Sequence, residues 1–377
     1  MQLMLSAPGT STTIDGRSYL YFGGTGYLGL QCHPQVIEAA CEATRRWGVG
    51  SATNRGGWGT TPPVQEVEHR AAQFWQCDDA YYFASGYSCN HILLSAIHRS
   101  VDMLFVDEFA HFSIEDACRF FRLPIVRFRH RDAMALSESL GEHLPPGAVP
   151  LVFSDGVFAS RGSLAPVQQY LEVLQVYDHA ALCLDDCHAV GVLGTRGWGT
   201  YEHFGLDTAQ VNDLPLSSAA PRLFATGTLS KAFGGHGGIV YGSTRFIHAA
   251  RDGSDYFRGA SAPATPAAAA SAMGLQLVTE NPEIVYRLQR NAKYLRAGLR
   301  SLGLEVDSSP VPFVGITLGD GANMARLQQS LASDQILVAH SRCYSGLDAD
   351  GALRIAVFAT HTTEMIDQLL TALAKHL

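Results

Sequence analysis

Residues 226–238 read Thr226-Gly-Thr-Leu-Ser-Lys231-Ala-Phe-Gly-Gly-His-Gly-Gly238. One lysine stands among glycines and hydroxyls, in a stretch with little hydrocarbon to bury. Glycine lets a phosphate or a planar ring approach the backbone closely. A desolvated lysine in such a setting sheds its proton more easily and becomes an amine nucleophile. Alone, the stretch also reads as a surface lysine on a glycine loop, because glycine runs are weak motifs. What flanks it decides between the two.

Apolar runs at 223–226 and 238–241 bracket the stretch as strands. Earlier strands follow the same plan, each closing on polar residues. The strand at 103–107 leads to Glu108-Phe-Ala-His111-Phe-Ser113, and that at 149–153 to Ser154-Asp155-Gly156. The strand at 181–184 leads to Asp185-Asp186-Cys187-His188. Another strand, beginning at Asp79, enters the tight turn Ser85-Gly86-Tyr87-Ser88 and then a helical run over 90–98. Helical periodicity also marks 34–47, 63–75, 133–140 and 164–177, with another helix starting near Ile114. Strand and helix alternate, which predicts an α/β fold with a mostly parallel central sheet flanked by helices. In such sheets ligands bind beyond the carboxyl ends of the strands.

His111, Asp155, Asp185, His188, Thr228 and Lys231 are therefore expected on one rim. The Ser85-Gly86 turn aims the N–H groups of a helix start at the same place. Each residue has a plainer reading: Asp185 as a cap, the histidines as core groups with satisfied hydrogen bonds, Ser85-Gly86 as an ordinary turn. Their joint placement at successive strand ends carries more weight than any one of them. A lysine able to form a Schiff base, an aspartate, flanking histidines and a phosphate cradle together suit pyridoxal 5'-phosphate.

Composition narrows the alternatives. The chain has 377 residues, more than one ordinary core needs. With 47% hydrophobic and 16% charged residues it is globular. A net charge of −8 argues against nucleic acid as the main partner. The eight cysteines are scattered, and no second pair completes a metal site with Cys183 and Cys187, so no metal is expected. Unpaired cysteines suit the cytoplasm. Neither a basic, apolar leader nor a run of about 18 apolar residues is evident, so neither a signal peptide nor a membrane span is expected.

Three segments are expected: an N-terminal segment, 1–47; a large domain, 48–245; and a smaller C-terminal α/β domain, 246–377. The last is read as helix over 264–302 with a break at Asn281-Pro282, strands at 314–318, 336–339 and 353–357, and helices at 323–333 and 363–376. The glycine-rich loop 48–61 is long enough to suggest a functional role.

The motifs resemble those of the α-oxoamine synthases, within the aspartate-aminotransferase-like, fold-type I enzymes that use pyridoxal phosphate. Similar stretches run along nearly the whole chain: Tyr27-Leu-Gly-Leu30, Gly50-Ser51 to Gly59-Thr60, Phe83-Ala-Ser-Gly-Tyr87 with Asn90, Asp107 with His111, and Asp155-Gly-Val-Phe158. Asp185-Asp-Cys-His188, Thr228 to Lys231 and Leu353-Arg354-Ile355 complete the series. The resemblance implies that Lys231 carries the coenzyme and later acts as base. It assigns Asp185 to the pyridine nitrogen, His188 to the phenolic oxygen and His111 to the ring face. Ser85, Gly86, Tyr87 and Thr228 would hold the phosphate, with Asp155 also beside the coenzyme. Ser261 would reach the phosphate of a neighbouring subunit in a homodimer with shared sites. Arg354, Thr25 and Asn54 would meet the substrate.

The implied reaction condenses an amino acid with an acyl thioester, carried on CoA or a carrier protein, with loss of carbon dioxide. The alternative is a decarboxylase, aminotransferase or aldolase-like lyase that uses no thioester. Departures at Thr25-Gly26, in loop 51–58 and at Ala159-Ser-Arg-Gly-Ser163 point to a specialised member. Arginines 119, 122, 127, 129 and 131 read either as a solvated basic face or as partners for CoA phosphates.

Overall fold

Residues 229–237, which hold Lys231, link two strands of the main sheet. They are too few for a helical crossover, and parallel neighbours need a connection of about a dozen residues or more. The second strand therefore returns antiparallel. The computed structural model describes residues 3–214 and 220–377.

The chain opens with a hairpin, β1 (Ser11–Ile14) and β2 (Arg17–Tyr21), turning at Asp15-Gly16 with both φ values positive. Asp-Gly is the pair such a tight turn favours. Helices α1 (Pro34–Trp47) and α2 (Pro62–Trp75) each start on proline, which suits the first turn of a helix. Then come β3 (Asp79–Phe83), α3 (Cys89–Ile97), β4 (Met103–Asp107), α4 (Phe112–Phe120), β5 (Ile125–Phe128) and α5 (Ala133–His143). Next are β6 (Pro150–Asp155), α6 (Val167–Leu174), β7 (Ala181–Asp185), α7 (Thr200–His203), β8 (Arg222–Thr228) and β9 (Gly238–Gly242). Helices α8 (Thr244–Gly253), α9 (Asp255–Gly259), α10 (Thr265–Glu280) and α11 (Glu283–Ser301) lead to β10 (Phe313–Ile316) and α12 (Gly321–Ser333). The short strands β11 (Ile336–Leu337) and β12 (Ala339–Ser341), then β13 (Ala352–Ala356) and α13 (Thr363–His376), end the chain.

The main sheet has seven strands in the order β3-β9-β8-β7-β6-β4-β5. From β8 to β5 neighbours run parallel, and β9 is antiparallel to both of its neighbours. Side chains alternate between two apolar layers, as strand geometry dictates. Phe105, Val152, Leu182, Leu184 and Ala225 join one layer with residues of α2, α5, α6 and α10. Leu104, Val106, Phe153, Cys183 and Phe224 join the other with residues of α3, α4 and α8. With helices on both faces, the strands read as near-continuous apolar runs. A third core packs α11, α12 and α13 on the sheet β10-β13-β12, and takes in Phe22 and Ile336.

Helix 264–302 breaks where expected, and Pro282 is the N-cap of the second piece. Three readings need correction. The helix expected over 164–177 starts only at Val167, because Pro166 precedes it and Leu164 bridges to Val157. The strand expected at 336–339 divides between two sheets, β11 pairing with β2 and β12 with β13. The start of the N-terminal segment, for which no strand is read from the sequence, contains one, β1, that includes Thr12, Thr13 and Ile14.

Candidate active site

A pocket of about 350 Å³ lies beyond the carboxyl ends of β6, β7 and β8. It gathers Thr25, Ser85, Gly86, Tyr87, His111, Asp155, Asp185, His188, Thr228 and Lys231 from six separate stretches of chain. It also collects Ser113, Cys187, Ser230, His236 and Tyr344, to which the sequence reading assigns no site role. Ser113 and His236 stand beside predicted residues, where spacing alone could have flagged them. Tyr344 stands in a stretch without a motif.

Asp155 and Asp185 are register partners at the ends of β6 and β7. Asp185 is buried and held as an acceptor: Asn90 Nδ2 donates to Oδ2 at 2.7 Å, and the Cys187 N–H to Oδ1 at 3.0 Å. Asn90 is itself fixed, since Thr226 Oγ1 donates to its Oδ1 at 3.1 Å. Asp155 accepts from the His111 N–H at 2.7 Å. Burial, and then the nearby Asp185 carboxylate, push the Asp155 carboxyl well above its ordinary range. The next residue, Asp186, turns away from the pocket. Its oxygens accept from Thr200 N at 2.8 Å and Thr200 Oγ1 at 2.6 Å, and burial raises its pKa to about 7.

His111 caps α4, its Nδ1 accepting from the Ser113 N–H at 3.2 Å, and burial lowers its pKa. His188 is also buried. Burial first, then the charges of Lys231 and Arg354, hold it well below the usual histidine range, so it is neutral. Its Nδ1 lies 2.7 Å from the Tyr27 hydroxyl.

The phosphate side is a cradle. The Tyr87 N–H donates to Ser85 Oγ at 3.2 Å, shaping the turn that leads into α3. A Cβ at residue 86 would stand 2.6 Å from Thr228 Oγ1, so only glycine lets the two strand ends approach this closely. Thr228 Oγ1 and Ser230 Oγ both donate to the Gly237 carbonyl, which ties the Lys231 loop shut at its base. Backbone N–H groups at a helix start, a threonine and a lysine around a space without side chains form a donor set suited to an anion. With a carboxylate and two neutral histidines further in, these residues fit pyridoxal phosphate.

Three of the predicted substrate and partner-side residues lie outside the lining of this pocket. Arg354 is buried beside the pocket, over the Phe313 ring at 4.1 Å. It donates to Ala159 O at 3.3 Å, Gly24 O at 3.1 Å and Tyr27 OH at 2.8 Å, all neutral acceptors. Asn54 and Ser261 sit together on an isolated bridge outside this pocket. The basic stretch is partly engaged locally: Arg119 and Arg127 pair with Glu115, Arg129 with Asp132, and Arg131 donates to Leu164 O.

Comparison with known proteins agrees with this arrangement. The model of the aminotransferase class I and II family matches residues 20–373. An 8-amino-7-oxononanoate synthase of Methylococcus capsulatus is 34% identical over 99% of this chain and 93% of its own. An 8-amino-7-oxononanoate synthase 1 of Bacillus subtilis is 32% identical over 98% and 91%. Among solved structures, a serine palmitoyltransferase of Sphingomonas wittichii superposes with a TM-score of 0.88 at 25% identity, covering 100% of this chain and 91% of that one. A structure of SPT with its PLP internal aldimine gives 0.88 at 26%, over 100% and 92%. The chain is thus a pyridoxal phosphate-dependent member of the aminotransferase class I and II family, on its α-oxoamine synthase branch.

Proposed function

We propose that the protein joins an amino acid to an acyl thioester, with loss of carbon dioxide, and releases an α-amino ketone. The observation that carries this reading is the single pocket lined by Lys231, Asp185, His111 and His188. Pyridoxal phosphate, when bound, supplies an electron sink for the carbanion at the substrate's Cα. Lys231 would hold it through its amine, Asp185 through the pyridine nitrogen and His188 through the phenolic oxygen. His111 would cover the ring face, and Ser85, Gly86, Tyr87 and Thr228 would take the phosphate.

The chain's own residues do the rest. Lys231 Nζ accepts the Cα proton, its loop fixed by Thr228 and Ser230. Asp185 stays an acceptor because both of its oxygens already receive donors. Arg354 is a buried cation whose bonds all go to neutral oxygens. An uncompensated buried charge is costly, so a substrate carboxylate is the partner it lacks. Thr25 lines the pocket on that side, beside the Gly24 carbonyl that Arg354 holds.

We further propose a homodimer with shared sites in the cytoplasm. Asn54 and Ser261 lie away from their own pocket, and Ser261 is exposed, as residues serving a second subunit would be. All eight cysteines are free, and among the described residues no helix is long and apolar enough to cross a membrane.

The test is release of labelled carbon dioxide from amino acids, with and without acyl thioesters. Release that depends on the thioester is expected. Equal release without it would replace the synthase reading with a decarboxylase.

A further inference from the structure

Tyr27 belongs to no charged motif, yet it joins the two ends of the site. The residue is fully buried, with its ring stacked on Phe313 at 5.7 Å. Its hydroxyl has two neighbours, Arg354 Nη2 at 2.8 Å and His188 Nδ1 at 2.7 Å. A guanidinium nitrogen can only donate. The tyrosine oxygen therefore accepts from Arg354, and its own hydrogen needs an acceptor. The one at hand is His188 Nδ1.

We infer that Tyr27 is a positioning residue: anchored by Arg354, its hydroxyl donates to His188 Nδ1 and so fixes the imidazole with its proton on Nε2. The opposite tautomer would aim two donors at one oxygen and leave a buried hydroxyl hydrogen without a partner, an arrangement folded proteins avoid. His188 lines the pocket with Nδ1 already engaged, so Nε2 is the ring nitrogen left to face it. The consequence is a fixed N–H donor at that wall, suited to an anionic oxygen. On the coenzyme reading above, on which this rests, that oxygen is the phenolic one.

The same chain of bonds links the substrate side to the coenzyme side. Arg354 holds Gly24, Ala159 and Tyr27 together, and Tyr27 holds His188. A carboxylate drawn to Arg354 thus arrives at a guanidinium whose orientation also sets the His188 proton.

The test is nitrogen-15 NMR of histidine-labelled protein, with His188 assigned by its absence in His188→Gln. A protonated Nε2 and an acceptor-type Nδ1 are expected in the native chain, with or without pyridoxal phosphate. In Tyr27→Phe, which keeps the ring and removes only the hydroxyl, the two tautomers are expected to mix. The Kd for pyridoxal phosphate should rise roughly tenfold, the scale of one buried hydrogen bond. A native His188 protonated on Nδ1 overturns the proposal, as does a Tyr27→Phe chain with unchanged tautomer and affinity. The native spectrum decides the matter even if Tyr27→Phe does not fold. The Nε2 proton in a chain that binds no coenzyme would sustain the positioning role and refute the coenzyme reading instead.

Discussion

The two walls of the pocket are made in opposite ways. One is built from the ends of β6, β7 and β8 and the loop after them. Its groups, Asp155, Asp185, His188, Thr228 and Lys231, stand at strand ends in sheet order. The other draws on distant parts of the chain: Thr25 near the start and Tyr344 before β13 line the pocket, and beside it Arg354 of β13 bonds to Gly24 and to Ala159 after β6. The first wall presents charge and protons to the chemistry. The second is mostly hydrogen bonds between neutral oxygens and one cation. The contrast teaches that sheet geometry places the charged groups here, while loop closure assembles the neutral oxygens around Arg354.

Breaking the first wall should cost most. Lys231→Ala is expected to lower kcat/KM at least about 10²–10⁴-fold, the range a positioned proton-transfer group supplies, and to abolish covalent attachment of pyridoxal phosphate. Equal covalent capture of the coenzyme by the variant would contradict this. Asp185→Asn replaces an ionised acceptor with a neutral amide and is expected to reduce kcat roughly 10²–10³-fold. The amino-acid KM should change much less, which steady-state kinetics with the amino acid varied will show.

Perturbing the second wall should act on binding. In Arg354→Lys the planar fork is lost but the charge is kept. An amino-acid KM raised by roughly 10–100-fold is expected, about 1–3 kcal/mol for charge-assisted hydrogen bonds. A change in kcat alone would place the arginine outside carboxylate binding.

The smallest effect lies away from both walls. His361 is buried against Phe22, and its Nδ1 accepts from the Phe358 N–H at 2.8 Å. Burial lowers its pKa from 6.5 to about 4. The unfolded chain thus binds more protons between those values. The group's contribution to stability is complete above pH 6.5 and is lost as pH falls towards 4. At about 1.4 kcal/mol per unit this approaches roughly 3 kcal/mol at full protonation. His361→Leu should flatten the acid limb of thermal stability in that window and leave the kcat pH profile unchanged. An unflattened limb would remove His361 as its source. Asp186, raised to about 7, contributes with the opposite sign, so the comparison must be variant against native at each pH.

The same contrast explains what could be read from the chain. Strand-end polar residues follow from period and alternation, so Asp185 and Lys231 were legible before any coordinates. The choice of Asp185 over Asp186 followed from the family motif, and the structure gives its physical basis in Thr200, which takes up Asp186. Tyr344 and the Tyr27–His188 bond were not legible, because loop closure over hundreds of residues leaves no local pattern. The resemblance implies Asn54 and Ser261 as site residues, and one chain does not bring them to its own pocket. The split of 336–341 between two sheets was hidden because a four-residue apolar run looks like one strand.

The most direct measurement is to incubate the protein with pyridoxal phosphate, reduce it with borohydride and locate the adduct by peptide mass spectrometry. The account predicts a single phosphopyridoxyl group on Lys231, lost in Lys231→Ala. An adduct on another lysine, or none at all, would contradict it.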